Sequence, residues 1–156
     1  MPRATPPFTI QGCTTADGPL LPKNNVPAFF TNSNWRLIWT RVNKDCAYVT
    51  SQASLRFAHS QLLANPARKR HQKVVDSTGQ IVGYCRWLLP EGVDGELWPE
   101  AKVPAVSDEE AARWKKDFEE ADWKYDHALD DFDKPMLEIK RALMAMKNYF
   151  SERFPF

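Results

Sequence analysis

Apolar and polar positions alternate in three stretches of the chain and recur at helical spacing in three others. Phe8-Thr9-Ile10-Gln11-Gly12-Cys13 alternates and predicts a short first strand. Arg70 to Asp76 and Ile81 to Leu89 are β-rich runs joined by Ser77-Thr78-Gly79-Gln80, which predicts a hairpin. Gly79 supplies the positive φ that such loops need. Gly83, inside the second run, predicts a bulge or a close backbone approach. Tyr48, Leu55, Ala58 and Leu62 share one helical face, with Asp45 as cap and Asn65-Pro66 as stop near Ala64. Ser107-Asp108-Glu109-Glu110 is a capping box opening a helix to about Tyr125, with Trp114, Phe118, Ala121 and Tyr125 on its stripe. Pro135 suits the first turn of a last helix, 135–150, that carries Met136, Ile139, Leu143 and Met146.

Between these elements the pattern is less regular. Met1 to Pro7 is Pro-rich, and Thr14-Thr15-Ala16-Asp17 offers helix-capping residues. Pro19, Pro22 and Pro27 argue against a long regular helix before about Val26. The apolar patch from Phe29 to Trp39 reads as a helix broken near Asn32-Ser33-Asn34, with a further turn or two from Trp35 to Arg41. Glu91 to Val106 reads as loop, anchored by Trp98-Pro99 and Val103-Pro104. Leu129 to Lys134 reads as an acidic connector, and 151–156 as a tail. The expected architecture is mixed α/β, of the α+β kind: a strand, two helices, a central antiparallel hairpin and a helical insertion.

Composition limits the class of protein. With 156 residues, 43% apolar and 26% charged, the chain has the make-up of one globular domain. Six Trp and nine Phe demand burial. No apolar run reaches the length of a membrane span, and Met1 to Ile10 lacks the apolar core of a secretory signal. Cys13, Cys46 and Cys85 form neither a disulfide framework nor a metal pattern, so a reducing cytoplasm is expected. The net charge of +1 hides a division. Residues 1–90 hold 11 Lys and Arg against 3 Asp and Glu, whereas 91–156 hold 10 against 17. Either the two halves face each other or each serves a different partner.

The candidate chemistry is sparse. Arg68-Lys69-Arg70-His71-Gln72-Lys73 could meet phosphates, or could be a solvated strand start. It lacks the interleaved aromatics of a single-strand binder, and no nucleic-acid partner is expected. His127 with Asp126, Asp130 and Asp131 matches no known ligand spacing, so no metal is expected. His59 and His71 read as buried-side helix and strand residues. Cys85 is the best-placed thiol, but Arg86 points to the opposite face and core packing is favoured. Glu109-Glu110 and Glu119-Glu120 read as a solvated face. Gln80-Ile81-Val82-Gly83-Tyr84-Cys85 resembles the start of an acyl-CoA-binding turn, Arg/Gln-x-x-Gly-x-Gly/Ala. A position inside a strand excludes it, because the N–H groups belong to a ladder.

The hairpin from Lys73 to Trp87 resembles the central hairpin of GNAT-superfamily N-acetyltransferases. Val75-Asp76, Gly79, Ile81-Val82-Gly83 and Tyr84-Cys85-Arg86-Trp87 carry that likeness. Upstream, the first strand, Thr14 to Asp17 and the aromatic stretch from Phe29 to Trp39 follow in the family's order. Downstream, Trp98-Pro99, Val106 to Glu110, Ala121-Asp122-Trp123 and Leu129 to Asp133 resemble the acidic insertion of fungal members. The likeness covers about 8–150. It implies acetyl transfer from acetyl-CoA to an amine, and the absence of a long apolar run adds the expectation of no membrane partner. It also implies a further strand, the cofactor turn and a later tyrosine acid, none of which lies within these 156 residues. No catalytic residue is therefore assigned, the cofactor-binding residues stay unknown, and the expectation is an incomplete, inactive domain. The acidic segment 91–134 would favour a cationic amine. The alternative is a non-catalytic assembly module, pairing with another copy or a partner chain through an open sheet edge and the apolar last helix.

Overall fold

The computed structural model describes residues 7–33, 45–122, 130–146 and 151–152. They form a mixed α+β structure around an antiparallel sheet. Strand β1 is Phe8–Gly12, β2 is Lys69–Asp76 and β3 is Ile81–Leu88. Helix α1, Leu21–Phe30, and helix α2, Cys46–Phe57, lie between β1 and β2 in sequence. Helix α3, Asp108–Glu120, helix α4, Asp130–Met146, and a two-residue strand β4, Ser151–Glu152, follow the hairpin. The sheet order is β1-β2-β3-β4, and every neighbouring pair is antiparallel.

The hairpin forms as its sequence requires. Asp76 Oδ1 accepts from the Thr78 and Gln80 backbone N–H groups at 2.9 and 3.0 Å and from the Thr78 hydroxyl at 2.7 Å. Gly79 takes φ +88°. The ladder pairs Val74 with Gly83 but Val75 with Ile81, leaving Val82 as the extra residue of a bulge. Gly83 sits at this bulge, where a Cβ would lie 3.4 Å from the Val74 side chain, an ordinary contact distance.

The helices cover one face of the sheet. Asp45 caps α2 by accepting from the Tyr48 N–H at 2.7 Å. The buried stripe of α2 is Val49, Ala53 and Phe57, not the expected Tyr48 and Leu55, which are exposed and half-buried. The expected face holds only from Ala58 to Leu62, where the helix widens into a π turn and the buried positions become Ala58 and Leu62. Cys13, Leu21, Phe57, Leu62 and Val103 form one core cluster, with Ile81 and Tyr84 of β3 packed against it. Helix α1 starts earlier than the prolines suggested. Pro22 sits in its first turn, where no N–H partner is lost, and Pro27 costs one bond in a ten-residue helix. The expected turns from Trp35 to Arg41 lie outside the described residues.

The stretch after β3 covers part of the opposite face. Trp98, in a left-handed conformation with φ 60°, meets Trp87 with ring centroids 6.1 Å apart. A short 3₁₀ turn, Pro99–Ala101, packs on Gly12, where a Cβ would collide with the Glu100 carbonyl. Ala101 and Val103 are buried beyond it. The last helix also begins earlier than expected. It runs from Asp130 and absorbs the acidic connector, because acidic residues favour a helix N-terminus and Pro135 is tolerated inside. Within the expected tail, Ser151–Glu152 pairs with Trp87 and Leu88. From Ile81 to Arg86 the outer edge of β3 carries no strand among the described residues, so the expected open edge is partly covered.

Candidate functional site

The basic run at 68–73 divides as β2 alternates its faces. Arg70 is fully buried on the loop-covered face. Its guanidinium donates to the carbonyls of Leu97 at 2.8 Å, Gly95 at 2.5 Å, Pro66 at 3.1 Å and Lys69 at 2.7 Å. Four carbonyl dipoles thus replace water around the charge. Lys73 points to the helix face and donates to both Asp17 carboxylate oxygens at 2.6 and 2.7 Å. Asp17 is itself buried and accepts from the Thr14 N–H at 2.8 Å. Neither a solvated strand nor a continuous basic stripe results.

His71 lies beside Lys73 on the helix face, 1% exposed. Its Nδ1 is 2.8 Å from the Tyr84 hydroxyl, and the two rings stack at 17°. Its Nε2 is buried with no hydrogen-bond partner. Burial, with Lys69, Arg86 and Arg70 nearby, pushes the imidazole down to about 3. Burial raises the Tyr84 hydroxyl, and burial with Asp17 nearby pushes the Cys13 thiol up to about 12. At neutral pH all three are uncharged. They fill space, His71 Nδ1 and the Tyr84 hydroxyl satisfy each other, and none of the three is poised for proton transfer near pH 7.

The other sequence candidates stay apart. Cys85 is half-buried on the face away from Arg86. His59 is half-buried against Phe118, at 5.1 Å between centroids. Gln80 to Cys85 lies in the turn and the β3 ladder, so the exclusion of a phosphate-binding turn holds. His127 and Asp126, and the side chains of Asp130 and Asp131, lie outside the described residues. Among the described residues no cluster of His, Cys, Asp and Glu could hold a metal ion. No described helix is long and apolar enough to cross a membrane.

The capping box is half formed. Ser107 accepts from the Glu110 N–H at 3.2 Å, but the Glu110 carboxylate accepts from the Thr15 hydroxyl at 2.6 Å and the Trp114 indole at 3.1 Å. Those bonds hold its carboxyl below the usual range. Glu110 thereby ties α3 to the turn after β1.

A pocket of about 650 Å³ opens where the start of β2 and the end of β3 meet the π turn and α4. Among the described residues, Arg68, Lys69, Arg86, Lys140 and Arg141 line it together with Glu91. Arg86 is 7% exposed and bonds to the Gln61 carboxamide in the pocket wall. Arg68 donates to the Leu89 carbonyl at 3.0 and 3.3 Å and meets Glu91 at 3.4 Å. Leu88, Leu89 and Leu137 supply an apolar wall. The sequence concealed this site because its cations come from positions 68–69, 86 and 140–141, and the last pair sits on an element expected to carry only an apolar stripe.

The chain matches no known protein family model, no curated protein and no solved structure.

Proposed function

We propose that the chain carries the N-terminal part of an acetyl-CoA-dependent N-acetyltransferase fold, which passes acetyl to a primary amine. What supports it is the element order: β1, then two helices, then the antiparallel hairpin β2-β3, with β1 paired to β2. That is the order the hairpin resemblance calls for. In such a fold the amine attacks the thioester carbonyl, the C–N bond forms, the thiolate leaves, and a base takes the amine proton. Transfer itself is the test, measured as amine-dependent release of CoA thiol. Both this chain and a chain extended through any sequence that follows Phe156 in its gene are assayed. Release by either supports the proposal. No release and no acetyl-CoA binding by both overturn it.

One observation favours a second role, assembly with another copy of the chain. Met136, Ile139, Leu143 and Met146 are 56–77% exposed on α4, and among the described residues much of the β3 edge carries no strand. Light scattering after size exclusion over a concentration series separates a monomer from an assembly.

A further inference from the structure

We infer that the outer edge of β1 pairs with the same edge of a second copy of the chain, strand against strand across a two-fold axis. The inference goes beyond the acyltransferase proposal, does not depend on it, and uses a different surface from α4 and the β3 edge. β1 is the end strand of the sheet, with β2 on one side only. The Cys13 N–H donates to the His71 carbonyl at 3.2 Å, one step beyond the β1–β2 register. Bonded pairs alternate along an antiparallel ladder, so Thr9 and Gln11 also turn their backbone groups to β2. The N–H and C=O groups of Phe8, Ile10 and Gly12 therefore point outward, where no strand among the described residues meets them. This edge also lacks the usual protections, for β1 carries no charge, no proline and no bulge. Phe8 and Ile10 are 53% and 69% exposed on one face, and Thr9 and Gln11 are exposed on the other. A strand can approach with neither face in the way.

Two observations select the chain's own β1 as the occupant. One is register. An antiparallel pairing centred on Ile10 sets Ile10 opposite Ile10, and Phe8 opposite Gly12 in both directions. Each outward N–H and C=O then meets its counterpart, and any other register loses pairs. Thr9 faces Gln11 across the axis, and their side chains already bond within one chain at 3.2 Å. Phe8 of one copy comes beside the Pro99–Ala101 turn that covers Gly12 of the other. The second observation is charge. A neutral strand suits a neutral strand, and the two-fold sets no like charges opposite each other. The neighbouring charges lie one strand in and are engaged, Asp76 by the Thr78 hydroxyl and Lys73 by Asp17. An acidic or basic segment would find no complement at this edge.

A five-residue edge buries less than a standard interface, so the dimer should be weak, with Kd about 0.1 mM. Sedimentation equilibrium of the whole chain from about 5 to 500 µM tests it, with a monomer–dimer equilibrium expected. Ile10→Lys sets two ammonium groups opposite each other on the axis and should weaken the dimer about tenfold or more. Mixing Ile10→Lys with Ile10→Glu should recover association several-fold over either variant alone, which only contact through position 10 can do. Phe8→Glu, at the strand end, should also weaken the dimer and serves if the Ile10 variants misfold. Ile139→Lys/Leu143→Lys on α4 should leave it unchanged. A monomer throughout the range overturns the inference and leaves the edge to a strand of another chain. Association indifferent to Ile10→Lys and Phe8→Glu overturns it, as does a mixture that recovers nothing. Loss of the dimer in the α4 variant overturns it in favour of the α4 surface.

Discussion

Arg70 shows what a single buried charge can do in this protein. Its guanidinium gathers four backbone carbonyls, two of them from the segment after β3, and so ties that segment to the sheet. Arg70→Met keeps the length but leaves those carbonyls unpaired in a closed space. It should cost about 3 kcal/mol in urea unfolding. Arg70→Lys should recover little, because an ammonium cannot reach across the same fork. His71 makes a separate prediction. The unfolded imidazole takes a proton near pH 6.5, whereas the folded one does so only near 3. Between those values the unfolded state binds more protons, so stability falls as pH is lowered through that window. Urea unfolding at pH 7 and pH 4.5 should show that loss. The His71→Phe/Tyr84→Phe variant removes both partners and should lose less on the same change. Equal losses would mean that His71 is not the titrating group.

At the level of elements, legibility followed local chemistry. The Asp76 to Gln80 turn, the Gly83 bulge and the Asp45 cap each depend on a residue acting within a few positions, and each was readable. The buried face of α2 was not. A π turn at Ala58–Leu62 shifts the helical phase, and no residue in that stretch announces it. The start of α4 is illegible for a related reason: Pro135 favours a first turn but does not require one. The demand for glycine at position 12 is equally invisible locally, because it comes from a distant segment. The backbone of Glu100 lies where its Cβ would stand. Gly12→Ala should force the Pro99–Ala101 turn off β1 and cost about 1–3 kcal/mol in urea unfolding. A neutral result would show that this turn moves aside freely.

Over the whole molecule, the division of charge asks how a basic half and an acidic half stay together. Direct ion pairing is the obvious answer, but burial and hydrogen bonds also cross the division. Arg68–Glu91 crosses the division, with Glu91 89% exposed. The acids of the second half pair locally: Glu96 with Lys102, Glu119 with Lys115, and Glu120 with Lys116. The halves are joined by Val103 in the core, the Arg70 carbonyl bonds, and Glu110 bonded to the Thr15 hydroxyl. Tyr48 adds a hydrogen bond to Asp122 at 2.6 Å. Burial and bonds of this kind are weakly screened, whereas exposed pairs contribute little and lose that little in salt. Salt thus has little to screen where the halves meet. Raising NaCl from about 50 to 500 mM should therefore move the midpoint of thermal unfolding by no more than about 3 °C. A fall well beyond that would mean that long-range attraction between the halves holds the fold together.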